Sequence, residues 1–224
     1  QESRGLGDVY KRQVSYNLLD APTTHFPLAD GENVISYQDD YPRSYYEPYN
    51  AQTNPDGYTG DRTEREHTLL RKAIQFIEDE VPTDLDIDGD NDGRVDNVTF
   101  LVYGSPGAWA DLLWPHRWSL YSQYVTIHGK QVWDYNFNME TGGYFTVGTL
   151  CHEFNHSLGA PDLYHYYSDG PTACGGWDVM DASNNTADDA ELNRLIGRIV
   201  LVPTSAVEFI ASVFIITNSG VSFE

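Results

Sequence analysis

The stretch His152-Glu153-Phe154-Asn155-His156 decides how this chain is interpreted. Its two histidines stand four positions apart, and residues i and i+4 of an α-helix share a face, so both imidazoles can reach one metal ion. The glutamate beside the first histidine can take a proton from a metal-activated water. The pattern therefore predicts a helix that holds a zinc ion for hydrolysis.

The residues that follow predict a third ligand. Gly159 stands where a helix carrying both histidines must stop, because glycine accepts the left-handed conformation at a helix C-terminus. Pro161 cannot resume the helix, so the chain turns back and Asp162 can reach the metal. Three protein ligands plus water is the arrangement of a catalytic zinc site. The alternative for Asp162 is a loop aspartate that caps a turn, and His165 is a rival ligand whose spacing does not fit.

The sequence thus assigns His152, His156 and Asp162 as zinc ligands. Glu153 is the expected general base, which takes a proton from the water and then carries it to the leaving amine. His116 lies between two tryptophans in Leu113-Trp114-Pro115-His116-Arg117-Trp118. We expect it to be a hydrogen-bonded structural histidine and leave it out of the site.

The zinc motif, followed by Met180, resembles a metzincin-type peptidase, in which a methionine lies beneath the metal. An aspartate as third ligand resembles specifically the immune inhibitor A family of secreted bacterial metallopeptidases. The segments that carry this resemblance are Pro161-Asp162-Leu163-Tyr164, Gly176-Trp177-Asp178-Val179-Met180, residues 88–98 and residues 113–118. They fall between about residues 80 and 183, with a weaker likeness at Tyr46 to Gly60. The family usually has a glycine where Asn155 stands.

This resemblance implies a secreted, extracellular zinc endopeptidase that cleaves proteins or peptides and is often stabilised by calcium. It also implies an extended substrate lying along an edge strand of the sheet. The segment from Gln131 to Phe137 is our candidate for that edge.

A ladder of aspartates predicts a calcium loop. Carboxylates crowded in this way repel one another unless a hard cation lies among them, and calcium prefers oxygen ligands. The expected ligands are the side chains of Asp88, Asp90, Asp92 and Asp96 and the carbonyl of Arg94, with Gly93 at the sharp turn. Position 12 of the loop is a threonine, so this is not a complete helix-loop-helix hand. A solvated acidic loop is the alternative.

The pattern along the chain predicts an α+β fold: a metzincin-like catalytic domain with a twisted mixed sheet, a backing helix and an active-site helix. The backing helix begins near Asp61, where Thr63 and Glu66 match a capping box, and ends before Pro82. Residues 98–103 form a buried strand. Two segments around Gly129 form a hairpin.

Composition excludes several classes of function. The chain has 224 residues with 34 acidic and 13 basic side chains, a formal net charge of −21, which argues against nucleic acid or an anionic membrane as partner. The longest apolar run, Val207 to Ile216, is far shorter than the roughly 20 residues of a membrane span. Cys151 and Cys174 form either one bridge or a pair of buried thiols.

The two ends are expected to differ from the rest. The DNA sequence GAT GTG TAT AAG AGA CAG encodes residues 8–13 and resembles a sequencing-library adapter. We therefore expect residues 1–13 to be translated adapter. Residues 14–186 form the catalytic domain, incomplete at its N-terminus and without a visible secretion signal. Residues 187–224 form a tail of uncertain origin.

Two rival functions remain open. One is a calcium-stabilised extracellular binding module with an inert metal site. The other is a zinc peptidase whose third ligand is a more distant glutamate.

Overall fold

The computed structural model describes residues 23–31, 33–140, 146–166, 170, 174 and 178–182, and the backbone alone of 147 and 210–216. The expected adapter segment, Trp177 and most of the tail lie outside the described residues. The described part is a mixed α+β fold with a twisted sheet, as predicted.

Six strands form the main sheet within the described residues. They are β1 (Thr23–Phe26), β2 (Tyr37–Gln38), β3 (Asn97–Val102), β4 (His116–Ser119), β7 (Asp134–Met139) and β8 (Ile210–Ile216). The order is β1-β8-β3-β7-β4, with β2 also paired to β8. Strands β3 and β7 are parallel and the other pairs are antiparallel, so the sheet is mixed.

A two-stranded hairpin lies apart from the main sheet. Its strands are β5 (Thr126–Ile127) and β6 (Lys130–Gln131), and Gly129 between them has a φ of +82°. The hairpin predicted around Gly129 is present, but the edge assignment for its second arm is wrong. Gln131 belongs to this small hairpin, and β7 lies between β3 and β4 inside the main sheet. Among the strands of the described residues, β4 ends the sheet on this side.

Helix α1 (Arg62–Ile77) covers the apolar face of the sheet. Side chains alternate along a strand, so β3 and β7 direct Val98, Phe100, Tyr135 and Phe137 to the same face. These side chains are buried with Leu70 and other apolar residues of α1 in one core.

The opposite face of the sheet is buried but polar, and helix α2 (Val147–Ser157) lies on it. Asn97 Nδ2 donates to Ser157 Oγ at 2.9 Å, and Ser157 Oγ donates to Asn136 Oδ1 at 3.3 Å. At its other end, Thr146 Oγ1 accepts a hydrogen bond from Thr149 N at 3.0 Å and caps the helix. The helix that carries the motif is therefore bonded to the sheet at its C-terminal end and capped at its N-terminal end.

The capping box predicted for α1 is wrong. Thr63 is the second residue of the helix rather than its cap. Glu66 turns towards the sheet, where its Oε1 accepts a hydrogen bond from the Tyr135 hydroxyl and contacts His116.

Neither described helix has the length and apolarity needed to cross a bilayer.

Candidate metal centre and cleft

The end of α2 is built to reverse the chain. Gly159 has a φ of +92°, as predicted for a left-handed helix stop. Its N–H donates to the carbonyl of His156 at 3.0 Å, and Ala160 N–H donates to the carbonyl of Asn155 at 3.0 Å. This pair of bonds is a Schellman motif, which satisfies the last carbonyls of the helix. It directs the following residues back beneath the two histidines.

The reversal brings three donor atoms together. His152 Nε2 and His156 Nε2 are 3.1 Å apart, and Asp162 Oδ1 lies 3.0 Å from the first and 3.3 Å from the second. In a tetrahedral site with zinc–nitrogen distances of about 2.0–2.1 Å, neighbouring donors lie roughly 3.3 Å apart. The observed spacing fits one ion of that size.

The hydrogen bonds of the two imidazoles show which nitrogens carry protons. His152 Nδ1 lies 2.9 Å from the Val179 carbonyl, and His156 Nδ1 lies 2.8 Å from the Ala160 carbonyl. A carbonyl only accepts, so both Nδ1 atoms are donors and, in the neutral rings, both Nε2 atoms present lone pairs. Within the described residues, Asp162 Oδ1 is buried and accepts no hydrogen bond. Three electron-pair donors facing one point are the chemistry of a cation site.

The turn around Met180 supports this arrangement from below. Met180 is buried, and Val179, its neighbour, supplies the carbonyl that holds His152. Leu163 N–H, next to Asp162, donates to the Met180 carbonyl at 3.0 Å. The turn thus links the first histidine to the loop of the aspartate.

Glu153 is buried beside the cluster. Glu153 is 6% exposed. It lines a cleft of about 490 Å³ together with His152, His156 and Asp162. Burial raises the pKa of its carboxyl to about 7; the charge of His116 acts in the opposite direction, and Asp162 adds to the rise. The Arg117 N–H on β4 donates a hydrogen bond to the carboxylate. Strand β4 therefore positions the side chain that the sequence assigned as general base.

The cleft continues from the metal centre to α1. Its far wall includes Glu66 and His67 of α1, with Tyr135 of β7, and β4 contributes His116 and Trp118. Sequence reasoning placed Glu66 in a helix cap and left His116 out of the site. No local spacing could have joined them, because 50 positions separate the two residues.

His165 and the two cysteines lie outside the cluster of His152, His156 and Asp162. His165 is exposed. Cys151 is half-buried and Cys174 is exposed, and the two are thiols rather than a disulfide. A bridge across the site is therefore not part of this structure, and the alternative of two buried thiols fails for Cys174.

The aspartate loop is only partly assembled. Carboxylate oxygens of Asp88, Asp90 and Asp96 lie within 4.8 Å of one another, whereas Asp92 is not in this group. Asp92 Oδ1 instead accepts a hydrogen bond from Arg94 N–H at 2.8 Å. The ammonium of Lys130 pairs with Asp88 and already neutralises part of the loop's charge. The predicted turn is present, with Gly93 at a φ of +86°.

Comparisons with known proteins agree with this geometry. The family model described as immune inhibitor A peptidase M6, catalytic domain, matches residues 101–192, which include all four residues of the predicted zinc site. Immune inhibitor A from Bacillus thuringiensis subsp. alesti is 29% identical over 119 residues. That alignment covers 42% of this chain and 17% of the relative, so the chain corresponds to a small part of that protein. The predicted resemblance is confirmed: residues 101–192 are similar to the catalytic domain of the immune inhibitor A peptidases.

Proposed function

We propose that the chain is a zinc-dependent endopeptidase of metzincin type that acts outside the cell on proteins or peptides. The observation that carries the proposal is the convergence of His152 Nε2, His156 Nε2 and Asp162 Oδ1, with both Nδ1 atoms held by carbonyls. The family resemblance favours peptide-bond hydrolysis as the chemistry.

The donor set of two imidazoles and one carboxylate suits zinc and leaves a position for water or substrate. Zinc bound there would lower the pKa of water towards about 7 and polarise a peptide carbonyl. In this proposal Glu153 accepts the proton of the attacking water, while the Arg117 N–H keeps its carboxylate in place. Glu153 then returns the proton to the leaving amine, so the residue ends the cycle as it began.

We further propose that an extended substrate lies along β4. This strand ends the described sheet, and its residues Arg117 and Trp118 line the cleft next to Glu153. Trp118 is largely exposed. Trp118→Ala should raise KM for peptides severalfold and leave kcat nearly unchanged, whereas Tyr124→Ala, an exposed aromatic outside the cleft, should change neither. Equal KM values for both variants and the parent chain would remove β4 from substrate binding.

Glu153→Gln tests the catalytic assignment. The glutamine keeps the shape of the side chain but cannot accept the proton, so casein cleavage should fall by about 10²–10⁴-fold while zinc content stays the same. Glu64→Gln, on the exposed side of α1, is the matched control and should cleave like the parent chain. If Glu153→Gln cleaves as fast as the control, the role of Glu153 is wrong. If the zinc-loaded parent chain cleaves nothing, the inert binding module is favoured.

Calcium binding by the aspartate loop remains our prediction. Calcium would have to displace Lys130 from Asp88 and draw in the carboxylate of Asp92. Millimolar calcium should therefore raise the melting temperature of the parent chain but not that of Asp88→Asn. A melting temperature that is the same with calcium and with a chelator would leave the loop as a solvated acidic turn.

A further inference from the structure

His116 occupies the wall of the cleft with both ring nitrogens engaged. Its Nδ1 lies 2.6 Å from the Trp114 carbonyl and its Nε2 lies 2.9 Å from Glu66 Oε1. A carbonyl oxygen only accepts, so Nδ1 must carry a proton. The Tyr135 hydroxyl donates to the same Glu66 oxygen, which identifies that oxygen as an acceptor. Burial acts against the charged form of Glu66, but His116 and Tyr135 outweigh it and lower its pKa, so Glu66 is a carboxylate. The second ring nitrogen of His116 therefore also donates, and the ring is an imidazolium.

The surroundings hold this ring and its charge in place. The imidazole stacks on Phe137 with centroids 5.2 Å apart and an angle of 15°, and it meets Tyr135 edge-on at 6.0 Å. Glu66, its counter-ion, is 5% exposed. The titratable groups that face His116 are Glu66 and His67 on α1, Tyr135 on β7 and Glu153 on α2. Despite burial, which favours the neutral ring, the two carboxylates raise the pKa of His116.

A charge in this place has a chemical consequence. The cleft contains the carboxylates of Glu153 and Asp162, and addition of water to a peptide carbonyl places further negative charge there. Because both N–H groups of His116 are already used, the ring has no donor left for the substrate. It can act only through its charge, which is fixed before the substrate arrives.

We propose that His116 acts electrostatically in the peptidase reaction. It is an imidazolium, held by Glu66 and the Trp114 carbonyl, whose charge stabilises the negative charge that develops in the cleft. This inference rests on the proposed function. It differs from a purely structural ion pair between α1 and β4, which would change stability and leave the chemical step untouched.

The first test measures the charge itself. In ¹⁵N NMR spectra of the whole chain at pH 7.5, both ring nitrogens of His116 should have the shifts of protonated nitrogens. In Glu66→Gln, which removes the counter-ion, one of them should become unprotonated. Glu64→Gln, two residues earlier on the exposed side of the same helix, should leave the spectrum of His116 unchanged. One unprotonated ring nitrogen in the parent chain would overturn the proposal, whatever the activity.

The second test measures the role. His116→Gln and Glu66→Gln should each lower kcat about tenfold with KM within twofold, a smaller loss than the 10²–10³ of a direct oxyanion donor. Zinc content should not change. The double variant should lose no more than either single variant, because Glu66 acts through His116.

A phosphinic peptide analogue separates charge stabilisation from ordinary binding, because it carries negative charge where the tetrahedral intermediate does. Its Ki should rise by the factor by which kcat falls. An unchanged kcat and Ki in folded, zinc-loaded His116→Gln would reduce His116 to a structural residue. That result is distinct from failure of the proposed function, in which Glu153→Gln would also have no effect.

Discussion

At the scale of single residues, Asp162 has neighbours on both of its oxygens. Oδ1 faces the imidazoles of His152 and His156, while Oδ2 accepts a hydrogen bond from the Tyr166 hydroxyl. Such outer contacts orient metal ligands, and their loss typically lowers metal affinity by about 10–100-fold. In the proposed metal site, Tyr166 therefore directs the carboxylate of Asp162 towards the two imidazoles without being a ligand itself.

Tyr166→Phe removes the hydroxyl that donates this hydrogen bond and keeps the aromatic ring. Zinc affinity should fall by about 10-fold or more, measured by competition with a chromophoric chelator. Tyr49→Phe is a matched control, because both tyrosines are 50% exposed and Tyr49 lies outside the cleft. Equal zinc affinity in the two variants would show that Asp162 needs no support from Tyr166.

At the scale of elements, the C-terminal turn of α2 brings the proposed third ligand to the two histidines. The helix presents His152 and His156, but the reversal at Gly159 brings Asp162 to them. A longer helix would carry the aspartate away along its axis. The Schellman motif is thus as important for the site as the histidines.

Gly159→Ala tests this turn. Open space surrounds the position, so an added methyl group clashes with nothing, but the φ of +92° is unfavourable for alanine. The free energy of unfolding should fall by about 1–2 kcal/mol, and zinc affinity should fall because the turn relaxes. Gly60→Ala also has open space and lacks a positive φ, and it should change neither quantity. Two variants with identical urea midpoints would contradict this account of the turn.

The same elements show what sequence can and cannot predict. The motif helix, its stop at Gly159 and the buried strand β3 follow from local spacing and glycine chemistry, and each is present. The ion pair between Glu66 and His116 depends on how α1 lies against β4, which no local pattern contains. Strand β7 was misassigned to an edge because the partners of a strand are set by the whole sheet.

Pairing of β8 depends on the whole sheet in the same way. Its backbone pairs with β1 and β3, which lie far from it in the chain. An apolar run such as 207–216 indicates a buried segment but does not indicate its neighbours.

At the scale of the whole molecule, a buried carboxylate joins the first part of the chain to α1. Asp39 accepts hydrogen bonds from the hydroxyls of Tyr46 at 2.5 Å and Tyr37 at 2.7 Å. Its Oδ1 also lies 3.5 Å from Lys72 Nζ on α1. Burial acts to raise the pKa of Asp39, but the hydrogen bonds from Tyr46 and Tyr37 outweigh it and the pKa is lowered. The charged form therefore stabilises the fold.

Asp39→Asn should lower the free energy of unfolding by about 2–3 kcal/mol at pH 7. A lowered pKa in the folded state means that this contribution is present above the unfolded pKa, about 3.9, and is lost as the pH falls through the folded value. Urea unfolding of Asp39→Asn and the parent chain should thus differ more in free energy at pH 7 than at pH 3. Asp40→Asn, whose side chain is 82% exposed, should differ little at either pH. If Asp39→Asn lowers the free energy of unfolding by the same amount at both pH values, the charge of Asp39 is not the cause.

The most direct measurement is the zinc content of the purified chain after dialysis, for the parent chain, Asp162→Ala and Asp40→Ala. We predict one zinc ion per chain in the parent and in Asp40→Ala, and little or none in Asp162→Ala, because the two imidazoles alone do not hold the ion tightly. Zinc retained in full by Asp162→Ala would mean that another residue is the third ligand. A parent chain that binds no zinc would contradict the metal centre on which the proposed function depends.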